Sequence, residues 1–165
     1  MQEDIDKIYA KIVGLETEVS NLRQGYIVVN QRYTEALSSL KELTNSASLA
    51  AKKACTAAEQ AALATNKCAL AAKEAASKSV IEAAEASAEA AALSAEAAVQ
   101  AAAAASAAAA AAAAAVAHQA EASSVQASAE AAQSTKRATD AAAEAVKMSN
   151  MAAEFARLAR NNHTK

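Results

Sequence analysis

Almost nothing in this sequence can stop a helix. The 165 residues contain no proline and two glycines, Gly14 and Gly25, and these two residue types are the usual punctuation of a folded chain. Alanine, the strongest helix former, supplies 56 residues, about a third of the total. Strands need β-branched and aromatic residues bounded by turns, and this chain has three Tyr, one Phe and no Trp. The expected fold class is therefore all-α. Most of the apolar fraction is a residue with one methyl to bury. Beyond about residue 50 large apolar side chains are rare, so a thick globular core of Leu, Ile and Phe is not expected. No acid pair, triad or phosphate loop appears at usable spacing, so no catalytic residue and no enzyme activity are expected.

The pattern of the large residues is more specific than the composition. With position a at Ile5 and d at Ile8, the series runs Ile5, Ile8, Ile12, Leu15, Val19, Leu22, Tyr26, Val29, Tyr33, Ala36, Leu40, Leu43. It continues as Ala47, Ala50, Ala54, Ala57, Ala61, Ala64, Cys68, Ala71 and Ala75, with no charge among them. A sustained heptad of this kind is the signature of a coiled coil. The frame then breaks, because it would place Lys78, Glu82, Glu85, Glu89 and Glu96 in the seam. Buried like charges are costly. A stripe one residue earlier is free of them: Ile81, Ala84, Ala88, Ala91, Ala95, Ala98. The first frame returns at Ala120 and runs Ser124, Ala127, Ala131, Ser134, Ala138, Ala141, Ala145, Met148, Ala152, Phe155, Ala159.

Three parts follow. Residues 1–43 form a large-residue coiled coil that clamps the assembly. Residues 44–117 form an alanine-seam rod with a polar interruption at 78–96. Residues 118–165 form a second alanine-seam rod with a basic carboxyl-terminal end. The expected architecture is a long, nearly continuous helix in a parallel homo-oligomeric coiled coil. Parallel orientation comes from the flanks: Lys11 at g faces Glu16 at the following e, and Glu18 at g faces Arg23, attractive pairs across an in-register interface. A trimer is favoured over a dimer, because Tyr26 and Tyr33 at a need room and Ile5/Ile8 favours three strands. The alternative is a helical-hairpin bundle that turns at Thr44-Asn45-Ser46 or Ser77-Lys78-Ser79.

Charge and targeting narrow the partners. Sixteen bases against eighteen acids give a formal net charge of −2, without the basic face of a nucleic-acid binder. The start, Met1-Gln2-Glu3-Asp4-Ile5-Asp6, is acidic and has no apolar run, so no secretory signal is expected. The uncharged stretch 97–120 is long enough to span a bilayer. It is nearly all alanine, however, which drives insertion far less than Leu or Ile, so a membrane span is not expected. Cys55 and Cys68 lie thirteen residues apart, about 20 Å along one helix and beyond disulfide reach. They read as two free thiols. His118 and His163 are remote from both, so no metal site and no cofactor are expected. Tyr26, Ile27, Val28 and Tyr33 form the candidate docking patch for a larger protein assembly, since Ile27 and Val28 fall at outward b and c positions.

The segments Glu85-Ala86-Ser87-Ala88-Glu89-Ala90, Leu93-Ser94-Ala95-Glu96 and Ser123-Ser124-Val125-Gln126-Ala127-Ser128-Ala129-Glu130 resemble the alanine- and serine-rich shafts of bacteriophage tail fibres and whiskers. The resemblance is compositional and covers roughly residues 47–160. It implies a parallel homotrimeric coiled coil attached to a virion by one end. Tail fibres usually carry a β-rich receptor-binding tip and this sequence has none, which favours a spacer, collar whisker or connector. The chain is also similar in composition to alanine-rich antifreeze helices, which present threonine at regular spacing along one face. The threonines here, Thr17, Thr34, Thr44, Thr56, Thr65, Thr135, Thr139 and Thr164, fall at irregular intervals. The function expected is a structural fibre, spacer or strut in a virion or other extracellular assembly, with an ice- or surface-binding helix as the alternative.

Overall fold

The computed structural model describes residues 2–118 and 122–163, and these are helical apart from the segment 78–80. The elements are α1 (Gln2–Ser77), α2 (Ile81–His118) and α3 (Ala122–His163). The all-α expectation holds. The expectation of one nearly continuous helix is revised, because the chain breaks at 78–80 and packs back on itself. Of the two turn sites considered, Ser77-Lys78-Ser79 is used. Thr44-Asn45-Ser46 is not, and α1 passes through it unbroken. Thr44 and Ser48 lie one turn apart on the buried face of α1, so these polar residues are helix-packing positions rather than breakers.

The turn is a Schellman motif made without glycine. The Val80 N–H donates to the Ala75 carbonyl at 3.0 Å, and the Ser79 N–H donates to the Ala76 carbonyl at 3.2 Å. Ser79 takes the left-handed conformation that this motif requires, with φ of 57°. The Lys78 ammonium donates to the Glu74 carboxylate at 2.5 Å. That pair offsets an acid standing in the last turn of α1, where the helix dipole disfavours it, and the Lys78 hydrogen bond and charge hold the Glu74 carboxyl below its ordinary pKa. Helix α2 starts at once, with the Ala84 N–H donating to the Val80 carbonyl at 3.1 Å.

The chain divides into two units, residues 1–40 and 41–165. In the second unit the last part of α1, α2 and α3 form a three-helix bundle. Ala51 packs with Ala112 and Ala131. Cys55 and Ala58 join a cluster with Ala95, Ala98, Ala105, Ala138 and Ala145. Ala69 and Ala72 meet Ala91 and Ala152, and Ala75 and Ala76 meet Ala84, Ala156 and Ala159. Rising numbers in α1 thus meet falling numbers in α2 and rising numbers in α3. Helix α2 is antiparallel to the other two, and α1 and α3 are parallel.

Alanine sets the spacing of this bundle. The largest fully buried side chains are Thr44, Thr65 and Ser124, so helix axes can sit near the short end of the roughly 8–10 Å packing range. Thr135 of α3 reports the closeness: its short hydroxyl donates to the Ala105 carbonyl of α2 at 3.0 Å as well as to Ala131 of its own helix at 3.1 Å.

The buried stripes can be compared with the heptad frames residue by residue. In α2 the charge-free stripe from Ile81 to Ala98 faces inward, and Glu82, Glu89 and Glu96 lie exposed. In α3 Ser124, Ala127, Ala131, Ser134, Ala138, Ala145, Ala152 and Ala159 are buried; Ala120 of that frame lies outside the described residues. In α1 the buried set is Thr44, Ser48, Ala51, Cys55, Ala58, Thr65, Ala69 and Ala72. That set runs one residue later than the frame extended from the first forty residues, whose Ala50, Ala57 and Ala71 are exposed. Both candidate stripes are uncharged and made of small residues, so apolar patterning does not choose between them.

Ion pairs on the rim match one register. Lys52 of α1 pairs with Glu130 of α3 at 2.6 Å. One heptad on, with the signs exchanged, Glu59 accepts from Arg137 at 2.7 Å. Glu85 of α2 pairs with Arg160 of α3. Sliding α1 against α3 by one heptad would set Lys52 against Arg137, or Glu59 against Glu130. Lys52 and Gln126 hydrogen bonds, with the Lys52 charge, hold the Glu130 carboxyl below its ordinary pKa. This contribution is present above the ordinary carboxylate pKa and is lost as pH falls through the lowered value.

Two predictions follow from the bundle. Ser79→Gly removes the left-handed penalty of an L residue and should stabilise the bundle by about 0.5–1 kcal/mol, read as a higher thermal midpoint by circular dichroism; an unchanged or lower midpoint would contradict the turn geometry. Lys52→Glu should lower that midpoint, and adding Glu130→Lys should restore most of the loss. No recovery in the double variant would mean that the pair does not set register.

Candidate assembly surface

The first unit inverts the usual relation between side-chain size and burial. It is a single stretch of α1, and it carries about half of the large apolar residues of the protein in about a quarter of its length. All of Ile5, Ile8, Ile12, Leu15, Val19, Leu22, Tyr26, Val29 and Tyr33 are exposed, up to 73% for Leu22 and 71% for Tyr26. Leu40 is half-buried, and Leu43, in the second unit, is exposed. In the bundle, by contrast, no fully buried side chain among the described residues is larger than threonine.

These residues fall on one face because α1 is helical throughout. Spacings of three and four residues keep a stripe in line within each heptad. From Ile5 to Tyr33 the stripe covers about 42 Å of helix. An exposed apolar band of that extent exceeds the single scattered apolar residues usual on a protein surface.

The flanks of the stripe are charged in a definite order. Lys11 and Glu18 lie on one side, and Glu16 and Arg23 on the other. Among the described residues none of these four makes an ion pair within the chain, whereas Lys7 pairs with Glu3 at 3.0 Å one turn away. A shallow open groove between the stripe and its flank is lined by Glu18, Val19, Asn21, Leu22, Arg23, Gly25 and Tyr26.

The four candidate docking residues occupy two positions around the helix. At about 100° of rotation per residue, Tyr26 and Tyr33 share the stripe with Val29, and Ile27 and Val28 point successively away from it. Ile27 and Val28 are 58% and 45% exposed. The two tyrosines therefore belong to the seam, and the β-branched pair stands apart from them.

Elsewhere the chain offers little chemistry. Among the described residues no group of three His, Cys, Asp or Glu is placed to hold a metal ion. The histidine side chains lie outside the described residues. Cys55 is buried and Cys68 half-buried, and both are free. Burial, followed by the neighbouring Glu59 carboxylate, raises the Cys55 thiol pKa. Helix α2 over Ile81–Ala117 is long and apolar enough to cross a membrane by length and composition; one side of it forms the alanine seam with α1 and α3. The register pairs Lys52–Glu130, Glu59–Arg137 and Glu85–Arg160 were not anticipated from sequence. A signal was present, since Lys52/Glu59 and Glu130/Arg137 are two heptad-spaced pairs of opposite order.

The thiols supply a check on the bundle. Alkylation of the native protein at mildly alkaline pH should modify Cys68 well before Cys55, with Cys55 reacting only on unfolding. Equal rates, followed by mass spectrometry of the peptides, would contradict the placement of Cys55 in the bundle interior.

In comparisons with known proteins, no family model, no curated protein and no solved structure matches this chain.

Proposed function

We propose that this chain is a non-catalytic structural protein that assembles with copies of itself, in parallel and in register, through the large-residue stripe of residues 5–43. The single observation that carries the reading is that stripe: nine large apolar residues from Ile5 to Tyr33, aligned on one helical face and uncovered. Covering a Leu, Ile or Val side chain is worth about 1.5–3 kcal/mol when complete, so a helix of this kind has a strong drive to find a partner of matching periodicity. The unpaired Lys11, Glu16, Glu18 and Arg23 supply the matching charges that a second parallel copy would meet. Three strands suit Tyr26 and Tyr33 at a better than two.

On this reading the alanine-rich part is a body displayed by the stem, and the assembly serves as a fibre, spacer or strut. The compositional resemblance to phage shafts supports a place in a virion or other extracellular assembly, with attachment through the amino-terminal region. Ile27 and Val28, outside the seam, would stay available there for a different protein. A second reading, a helical-hairpin bundle at a surface, is favoured by the reversal at 78–80 and the packing of α2 and α3 onto α1. In that case the body would work alone and the stem would be its anchor.

Mass in solution separates the two. Light scattering at micromolar concentration should give three chain masses for the native protein. Leu15→Asp should return one mass, because a charge in the seam costs about 3–5 kcal/mol when it has no partner. Helical signal from the alanine bundle should survive that change. A native protein that stays monomeric, or a Leu15→Asp variant that keeps the native mass, would overturn self-assembly through this stripe.

A further inference from the structure

We infer that Gly25 is a notch in the stem that receives the Tyr26 ring of a parallel copy and so fixes the pairing in register. The inference rests on the self-assembly proposed above, and its test is built to fail separately from it.

Gly25 sits in the interior of a 76-residue helix, where glycine is the poorest choice after proline. Neither usual reason for glycine applies. Its φ is not positive, and a Cβ built on it would meet nothing within 4 Å. Within one chain the position is open space, so no contact inside the chain accounts for the glycine.

The heptad supplies a reason. Gly25 is at g, directly before Tyr26 at a. In a parallel coiled coil each a side chain enters a hole made by four residues of the facing helix. For Tyr26 paired in register these are the preceding d, the g, the matching a and the following d: Leu22, Gly25, Tyr26 and Val29 of the other copy. The open groove found on the isolated helix is lined by Leu22, Gly25 and Tyr26 among others. A phenol ring is longer than the Ile and Val side chains at the earlier a positions. With a side chain at g it would push the axes apart; with none it can lie across the bare backbone. Ile12 and Val19, which need no such space, follow Lys11 and Glu18 at g. Tyr33, the other aromatic at a, follows Arg32, whose guanidinium can stack on a ring face. Gly14, at an outer c position, has no such partner, and nothing in the structure explains it.

The notch and the flanking charges specify the same register. In register, Lys11 meets Glu16 and Glu18 meets Arg23. A slip of one heptad sets Lys11 against Arg23 in one direction and Glu18 against Glu16 in the other, and moves Tyr26 from the glycine to Glu18 or Arg32. Like charges across the seam suppress the wrong partner alignment.

The test is a double-substitution cycle on the full-length, reduced protein, with dissociation constants from sedimentation equilibrium and helicity from circular dichroism. Alanine is the better helix former, so Gly25→Ala by itself should tighten assembly if the position is merely open. The notch requires the opposite: Gly25→Ala should weaken assembly by about tenfold or more through overpacking, with helicity undiminished. In a Tyr26→Ala background the same substitution should tighten it, a reversal of sign that marks direct coupling. If Gly25→Ala tightens assembly or leaves it unchanged in the native background, the notch is wrong while self-assembly stands. If the native protein is monomeric across the micromolar range, self-assembly fails and the notch with it.

Discussion

Close approach of helices through methyl groups is the constraint on which the bundle depends. An alanine seam buries little area per residue, so its contribution rests on axes near enough for backbone and methyl atoms to touch along the whole contact. The Thr135 hydroxyl reaching the Ala105 carbonyl shows that nearness directly. It also limits what the interior can hold. Among the described residues nothing larger than threonine is fully buried, and larger neighbours such as Met148 and Phe155 pack only partly covered against the seam. Such a seam has little shape of its own with which to choose a register, and the choice passes to the alternating ion pairs on its rim.

The large apolar residues are spent elsewhere. About half of them lie in the first forty residues, where the nine of the stripe are exposed and Lys11, Glu16, Glu18 and Arg23 make no ion pair among the described residues. The sequence therefore separates two tasks that a globular domain combines in one core. One segment folds on itself by helix propensity and close methyl packing. The other carries large apolar side chains that stand exposed on the helix. The single-methyl side chain makes this separation possible, because an alanine bundle folds without drawing on the Leu and Ile residues of the stem.

The legibility of the sequence follows the same division. Helix was readable everywhere, from the absence of proline and the abundance of alanine. The stripe of residues 5–33 was readable because its side chains are large and evenly spaced. The inward face of α2 was readable for a different reason: five glutamate and lysine positions excluded the competing frame. In α1 after residue 43 no charge falls in the extended frame and small residues fill the alternative as well, so the frame runs one residue ahead of the buried face at Ala50, Ala57 and Ala71. The reversal at 78–80 was readable as a polar cluster but not as a certainty, since the left-handed position is held by Ser79 where glycine usually stands. In the docking patch the heptad itself separates the residues: Tyr26 and Tyr33 fall at a, and Ile27 and Val28 at outward b and c positions.

The methyl-only interior also has a thermal consequence. The heat-capacity increment of unfolding grows with the apolar area exposed and shrinks with the polar area exposed. A bundle whose buried side chains are alanine, serine and threonine releases little apolar area per residue, while its helices release as many peptide groups as any other. Its increment should therefore be small for its length. The enthalpy of unfolding then changes little with temperature, and the stability curve is broad and shallow rather than sharply domed. Such a body loses less of its margin on cooling than a domain built on leucine and phenylalanine, and its helical order varies gently across a wide range of conditions.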